Sequence, residues 1–397
     1  MLNRIKHIVL ESYEELISCR EHLHENPELS FKEYNTAKFV ASKLTDMGIS
    51  YTEGVAGTGI VALIKGSNPT KKCIALRTDL DALPIQEENN ISCKSKVSGV
   101  MHACGHDVHT TCLLGAAKVL NSLKSEFEGT IKLIFQPGEE VLPGGASMMI
   151  SEGVLTNPKV DEIYALHVHP SMEVGKVGFK GGKYMAACDE LYLTVIGVGG
   201  HAALPNEYTN PIMIMAELLP KLETYMKSIS LVDSPYIFAF GDLRAHGATN
   251  VIPEQANAKG TFRSMNETWR EDVHLKLRSF VDDFLKLNNA SGELKIIKGY
   301  PFLHNDQQLT DNAFKTTQKL LGIDMVERMS IRMTAEDFSY YSQQVPACFF
   351  RLGVRNEAKG IVHGVHHPKF NIDNEALKVG VSSLTAIALQ ALDTNKV

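Results

Sequence analysis

The sequence predicts an α/β protein: a mixed, mostly parallel sheet covered by helices, interrupted by a smaller inserted α+β unit. Three observations lead there. Short, nearly continuous apolar segments alternate with amphipathic helices over residues 1–186, as in a sheet buried on both faces. Over residues 187–298 the rhythm becomes β-α-β-β-α-β, that of a small four-stranded sheet with two helices on one face. From residue 299 to 397 the first style resumes, so the outer domain is discontinuous around its insert.

The elements follow in order. Leu2, Ile5, Ile8, Val9, Tyr13, Leu16 and Ile17 recur at helical spacing and predict a helix over about 3–24, with another over 33–47. Residues 59–65 (GIVALIK) and 73–78 (CIALRT) read as buried strands. A helix at 109–124, a strand at 130–135 (TIKLIF), a helix at 145–152 and a strand at 162–167 complete the first half. In the insert, a strand at 190–196 precedes a helix at 210–227, whose apolar stripe includes Ile214, Met215, Leu218 and Leu222. Strands at 236–241 and 256–263, a helix at 268–287 and a strand at 294–298 close that unit. The outer domain ends with a helix at 307–321, a strand at 348–352 and a helix at 375–393.

Composition narrows the partners. The chain of 397 residues carries 40 Lys+Arg against 46 Asp+Glu, a net charge of −6, which removes the electrostatic case for nucleic acid. Seven scattered cysteines fit free thiols in a reducing compartment better than a disulfide framework. Charges interrupt the N-terminal residues at once, unlike a signal peptide, and no apolar stretch approaches the roughly 18 residues of a membrane span. A soluble, cytoplasmic protein without a membrane partner is the expectation.

Chemistry concentrates in four places. Met101-His102-Ala103-Cys104-Gly105-His106-Asp107-Val108-His109 packs a thiol, three imidazoles and a carboxylate ahead of a helix. Thiolate and imidazole suit Zn, Mn, Co or Ni ions, although the same stretch also reads as a polar turn with Asp107 capping the helix. Phe135-Gln136-Pro137-Gly138-Glu139-Glu140 puts two acids on a turn at the rim of a buried strand, where α/β proteins bind ligands. Read alone it is equally a solvated loop. His167 ends another buried strand, as a ligand or as a hydrogen-bonded core residue, and Val362-His363-Gly364-Val365-His366-His367-Pro368 is a metal loop or a His-rich surface. Taken together, Cys104, His106, Glu140, His167 and His366 would make ligands for two ions, with Glu139 left over as a base.

These motifs resemble the M20 metallopeptidase family, and within it the amidohydrolase branch of hippurate, auxin-conjugate and N-acetyl-diaminopimelate hydrolases. The resemblance runs through Arg77-Thr78-Asp79-Leu80-Asp81, the Cys104 and Glu139 segments, Leu166-His167, Gly199-Gly200-His201, Asn250-Val251-Ile252-Pro253, Gly260-Thr261-Phe262-Arg263, Ala335-Glu336-Asp337-Phe338-Ser339 and His366-His367-Pro368. It implies a catalytic domain of zinc-peptidase type with a ferredoxin-like lid at 187–298, which in the family also commonly pairs two subunits into a homodimer. It implies two divalent ions, Zn or Mn with Co or Ni possible, on Cys104, His106, Glu140, His167 and His366. Glu139 would be general base and then acid, and His201 would polarise the scissile carbonyl. Asn250 and Arg263 would hold the substrate carboxylate, and Asp79 and Asp81 would support the ligating histidines. The expected substrate is a small N-acyl amino acid. A dipeptidase or aminopeptidase is the close rival, and a thiol hydrolase with Cys104 as nucleophile the distant one. One departure is Gly138, where the branch usually carries Ala.

Overall fold

The computed structural model describes residues 1–392. They form two compact units: Met1–Tyr184, His304–Ile331 and the described residues from Glu336 on make the first, and Met185–Leu303 with Arg332–Ala335 the second. The last residue of the predicted closing helix, Asp393, lies outside the described residues.

The first unit is built on an eight-stranded mixed sheet. Across it the order is Ser50–Val55, Gly59–Lys65, Thr130–Gln136, Cys73–Asp79, Glu162–Glu173, Ala347–Arg355, Val177–Phe179 and Val326–Arg328. The four central strands, from Thr130–Gln136 to Ala347–Arg355, run parallel. Every residue of Cys73–Asp79 and Thr130–Gln136 is buried, as both-face coverage requires. Helices His106–Ser122 and Glu375–Ala391 are themselves nearly all buried, with Leu113, Leu120, Leu384 and Ile387 at the centre of the core. Each such side chain contributes about 1.5–3 kcal/mol relative to exposure.

Three departures from the sequence reading have plain causes. The helix expected over 3–24 is two, Leu2–Glu11 and Tyr13–Glu25, meeting at Ser12, a poorer helix former than Leu10 and Glu11 before it. The strand expected to stop at His167 continues to Glu173 through Pro170. Past Ala165 its only regular partner is Ala347–Arg355, so a missing N–H on the other side costs no ladder bond. The outer strand Ser50–Val55 was not foreseen because it is mostly exposed and polar, which leaves no apolar run to read.

The second unit is a four-stranded antiparallel sheet in the order Tyr236–Arg244, Gln255–Ser264, Ala187–Ile196, Ser291–Lys298. Asp189, Leu191, Leu193 and Val195 alternate onto its buried face. There the three apolar residues pack in one cluster with Met215, Leu218 and Leu222 of helix Pro211–Ile229 and Val273, Leu277 and Val281 of helix Glu267–Leu287. Both helices start on an asparagine cap: Asn210 accepts from the Ile212 N–H and Asn266 from the Trp269 N–H, each at 3.0 Å. Among the described residues no helix is long and apolar enough to cross a membrane.

Candidate metal centre

The first unit gathers its chemistry at the C-terminal ends of the parallel strands, the usual ligand rim of an α/β sheet. Asp79 ends one strand and Asp81 follows it, Glu139 and Glu140 sit on the turn after Gln136, and His167 lies opposite Arg351 in the adjacent pair. Helix His106–Ser122 starts from Gly105, whose φ of 84° is left-handed. A Cβ there would come within 2.7 Å of Val168, so the position accepts only glycine without movement. No side chain caps this helix. Asp107 is instead buried against Arg20 Nε and His24 Nδ1, 2.8 Å from each, which sets aside its reading as a cap.

Two donor triads share one thiol. Cys104, His106 and His167 offer atoms all within 4.8 Å of one another, and so do Cys104, Glu140 and His366. Cys104 Sγ lies 3.5 Å from His167 Nε2, and His366 Nε2 lies 3.3 Å from Glu140 Oε1. Hydrogen bonds select which nitrogen of each ring is available. His167 Nδ1 donates to the Val168 carbonyl at 2.8 Å and His106 Nδ1 faces Asp81 at 3.2 Å, which leaves both Nε2 atoms as lone-pair donors. His106 Nε2 and Glu140 Oε1 are buried without a hydrogen-bond partner, an expensive arrangement that cations held by the two triads would relieve. The residues present therefore fit a pair of divalent ions.

The remaining histidines of the cluster differ. His109 donates from Nδ1 to Asp79 at 2.6 Å and accepts the Val168 N–H on Nε2 at 2.9 Å, so both nitrogens are used. Asp79 thus serves His109, standing 3.9 Å from His106 Nδ1, while Asp81 serves His106. His102 is buried with neither nitrogen hydrogen-bonded.

Glu139 lies within reach of His106 and Glu140 on one side and of Glu336 and Asp337 on the other. Burial, then the charges of Glu336, Glu140 and Asp337, push its carboxyl well above the usual range. Burial likewise lifts Asp337 to about 8 despite Arg77. Arg77 holds this acidic wall together: its guanidinium donates to Asp79 and Asp337 at 2.7 Å each and to Gln136 at 2.9 Å. Burial followed by Glu140 and Glu139 pushes the Cys104 thiol well above its ordinary value, while burial drives His167 down. Without a cation this pair is a neutral thiol beside a neutral imidazole, which is the wrong state for a nucleophile.

Arg77, Glu336 and Asp337 lie within the motifs that carry the resemblance, but the sequence alone assigns them no role. The available signal was an arginine two residues before an aspartate on an otherwise apolar strand, hence on the same face.

His201, Asn250 and Arg263 belong to the second unit. The two-stranded ladder of Gly200–His201 with Val251–Ile252 brings His201 beside Asn250, and the Asn250 carbonyl accepts the Ala202 N–H at 3.0 Å. The Ala203 N–H donates to His201 Nδ1 at 3.1 Å, leaving the proton on an exposed Nε2. Arg263 lies on strand Gln255–Ser264 and donates to the Met333 carbonyl at 3.1 Å.

A mostly parallel sheet whose rim carries two cation triads beside a buried carboxylate is the frame of a metal-dependent hydrolase. Comparison with known proteins agrees. Residues 75–390 match Peptidase family M20/M25/M40. Thermostable carboxypeptidase 2 of Saccharolobus solfataricus is 37% identical over 98% of this chain and 98% of its own. An N-acetylcysteine deacetylase of Bacillus subtilis is 34% identical over 96% and 98%. The crystal structure of Bacillus subtilis YXEP, described as a dinuclear metal binding peptidase from the M20 family, is 32% identical and covers 96% of this chain and 98% of that one, with a TM-score of 0.82. The chain belongs to the M20/M25/M40 family and is a metal-dependent amidohydrolase.

Proposed function

We propose that this enzyme hydrolyses the amide bond of N-acyl amino acids to a carboxylic acid and a free amino acid. The observation that carries the reading is the pair of donor triads sharing Cys104 with Glu139 beside them. Cys104, His106, Glu140, His167 and His366 would hold two divalent ions, with Zn and Mn the first candidates for this mixture of thiolate, imidazole and carboxylate. Ions bound there supply Lewis acidity, lowering the pKa of water and polarising the amide carbonyl.

The chain's own residues do the rest. Glu139 takes the proton of the attacking water and returns it to the departing amine. Its raised proton affinity suits the second task, and a neighbouring cation would favour the ionised form needed for the first. Asp81 holds His106 in the tautomer that ligates, and the backbone carbonyl of Val168 does the same for His167. On the second unit, the Nε2–H of His201 is suited to a developing oxyanion, and Arg263 and Asn250 to the substrate carboxylate. Residues 187–298 would serve as lid and as the contact between two copies.

A second reading, cleavage of peptides, is favoured by the carboxypeptidase name of one relative. The two separate in one experiment. N-acetyl and N-benzoyl amino acids, N-acetyl-diaminopimelate and several dipeptides are assayed on chelated enzyme, then after Mn or Zn is restored. Metal-dependent release from acyl amino acids alone supports the first reading, and release from dipeptides alone supports the second. Activity that survives chelation but not a thiol alkylator would overturn both and make Cys104 the nucleophile.

A further inference from the structure

Three consecutive backbone N–H groups carry the turn from which Glu139 and Glu140 project, and two buried carboxylates accept all three. Asp81 takes those of Glu139 and Glu140, each at 3.0 Å. The Gly138 N–H goes to Glu33 Oε1 at 2.8 Å. Glu33 is fully buried and stands far from the turn in sequence. Its Oε1 also accepts the Phe31 N–H at 2.8 Å, and its Oε2 accepts the Thr58 hydroxyl at 2.6 Å. Each of these partners donates, which is the environment of a carboxylate committed to holding backbone in place.

The segment that carries Glu33 is strained toward the turn. Phe31 has a φ of 62°, a left-handed conformation rare for a bulky side chain. Its ring lies where a side chain at position 138 would begin: a Cβ on Gly138 would stand 2.4 Å from it. Ser30, next in the chain, donates to Asp81 at 2.6 Å. Ser30, Phe31 and Glu33 therefore each touch either the turn or the carboxylate that supports it. Gly138 is the residue of that turn with the widest conformational freedom, and its φ of 57° is itself left-handed. Its N–H is held by Glu33, and its carbonyl accepts the Gly145 N–H at 3.0 Å.

We infer that Glu33 is a positioning residue for hydrolysis: through the Gly138 N–H it fixes the orientation of Glu139 relative to the reacting water. This rests on the reading of Glu139 as acid and base. Proton transfer needs heavy atoms about 2.6–3.2 Å apart, and a misplacement of about 1 Å costs roughly 100-fold in rate. The Glu139 and Glu140 N–H groups both keep Asp81, so loss of Glu33 is expected to loosen the turn at Gly138 without releasing it, and ion binding is expected to survive.

The test compares Glu33→Ala, Glu33→Gln, Glu33→Asp and Glu139→Ala on the fastest-cleaved acyl amino acid of the panel, with bound metal measured by elemental analysis and stability by thermal melting. Glu33→Ala is expected to lower kcat about 10- to 100-fold with KM and metal content near those of the parent. Glu33→Gln keeps an oxygen able to accept both N–H bonds and should recover most of kcat. Glu33→Asp keeps the charge but is one methylene too short to hold the Phe31 N–H, the Gly138 N–H and the Thr58 hydroxyl together, and should lower kcat about 10-fold. That variant keeps the proposal open to refutation even where Glu33→Ala does not fold. Parental kcat in the Ala or the Asp variant overturns the proposal, and so does a Gln variant as impaired and as unstable as Glu33→Ala. Should Glu139→Ala keep the parental rate, the acid–base reading fails instead.

Discussion

An imidazole can ligate only through a nitrogen without a proton, and that rule separates histidines the sequence leaves equivalent. His106 keeps such a nitrogen free of hydrogen bonds, whereas both nitrogens of His109 are engaged, by Asp79 and by the Val168 N–H. His106→Ala should therefore bind less metal on elemental analysis. His109→Ala should retain its metal while losing about 1–3 kcal/mol of stability, because it takes the partner of Asp79 Oδ1 and of the Val168 N–H away. Metal loss from the His109 variant would contradict this division. Gly105→Ala makes a second residue-scale prediction. Its left-handed φ and the approach of Val168 together should lower unfolding free energy by about 1–3 kcal/mol, read from a urea titration. The donor types were legible because thiol, imidazole and carboxylate cluster in few places. Tautomers were not, since they depend on partners such as Asp81 that only the fold brings near.

Among elements, those with a sustained apolar run were legible, whereas polar or very short strands, such as the three-residue Val177–Phe179, were not. Gly59–Lys65 announces itself as an apolar run, while Ser50–Val55 carries Tyr, Thr and Glu on an edge where nothing selects for apolarity. The sheet of the second unit holds one buried ionic knot, in which Asp189 accepts Arg270 Nε at 2.9 Å and His274 Nε2 at 2.6 Å. Burial alone would raise the Asp189 pKa, but the bonds from Arg270 and His274 outweigh it and hold the carboxyl below its ordinary value. A carboxylate depressed in the folded state stabilises fully above its unfolded pKa of about 3.9, and that contribution fades as pH falls through the folded value. Stability of this unit should thus drop below about pH 4. Asp189→Asn should flatten that limb and cost up to about 3–5 kcal/mol near neutrality by leaving the buried Arg270 with Glu267, 2.9 Å away, as its remaining charge partner. The chain's one tryptophan, Trp269, lies in the same core, so its fluorescence reports this unit selectively. An unchanged acid limb in the variant would refute the assignment.

For the molecule as a whole, ions that bind only the native state should raise its melting temperature, with about 2.7 kcal/mol for each site at 100 times Kd. Chelation should lower the melt, and restoring Zn or Mn should reverse it. An identical melt for the chelated protein would argue against ions held by the folded chain. Sedimentation should give twice the chain mass, and the chain mass alone once residues 187–298 are removed. A monomeric intact protein would refute pairing through that unit. The order of strands carries one more consequence. Ala347–Arg355 lies between Glu162–Glu173 and Val177–Phe179, so the interior of the largest sheet is filled by a segment translated long after both its neighbours. Until it emerges from the ribosome, Glu162–Glu173 presents an open edge of unpaired amides and carbonyls, ready to pair with the wrong chain. The inserted unit can fold meanwhile, but the larger one must wait, with that edge the place where a chaperone or an aggregate would first take hold.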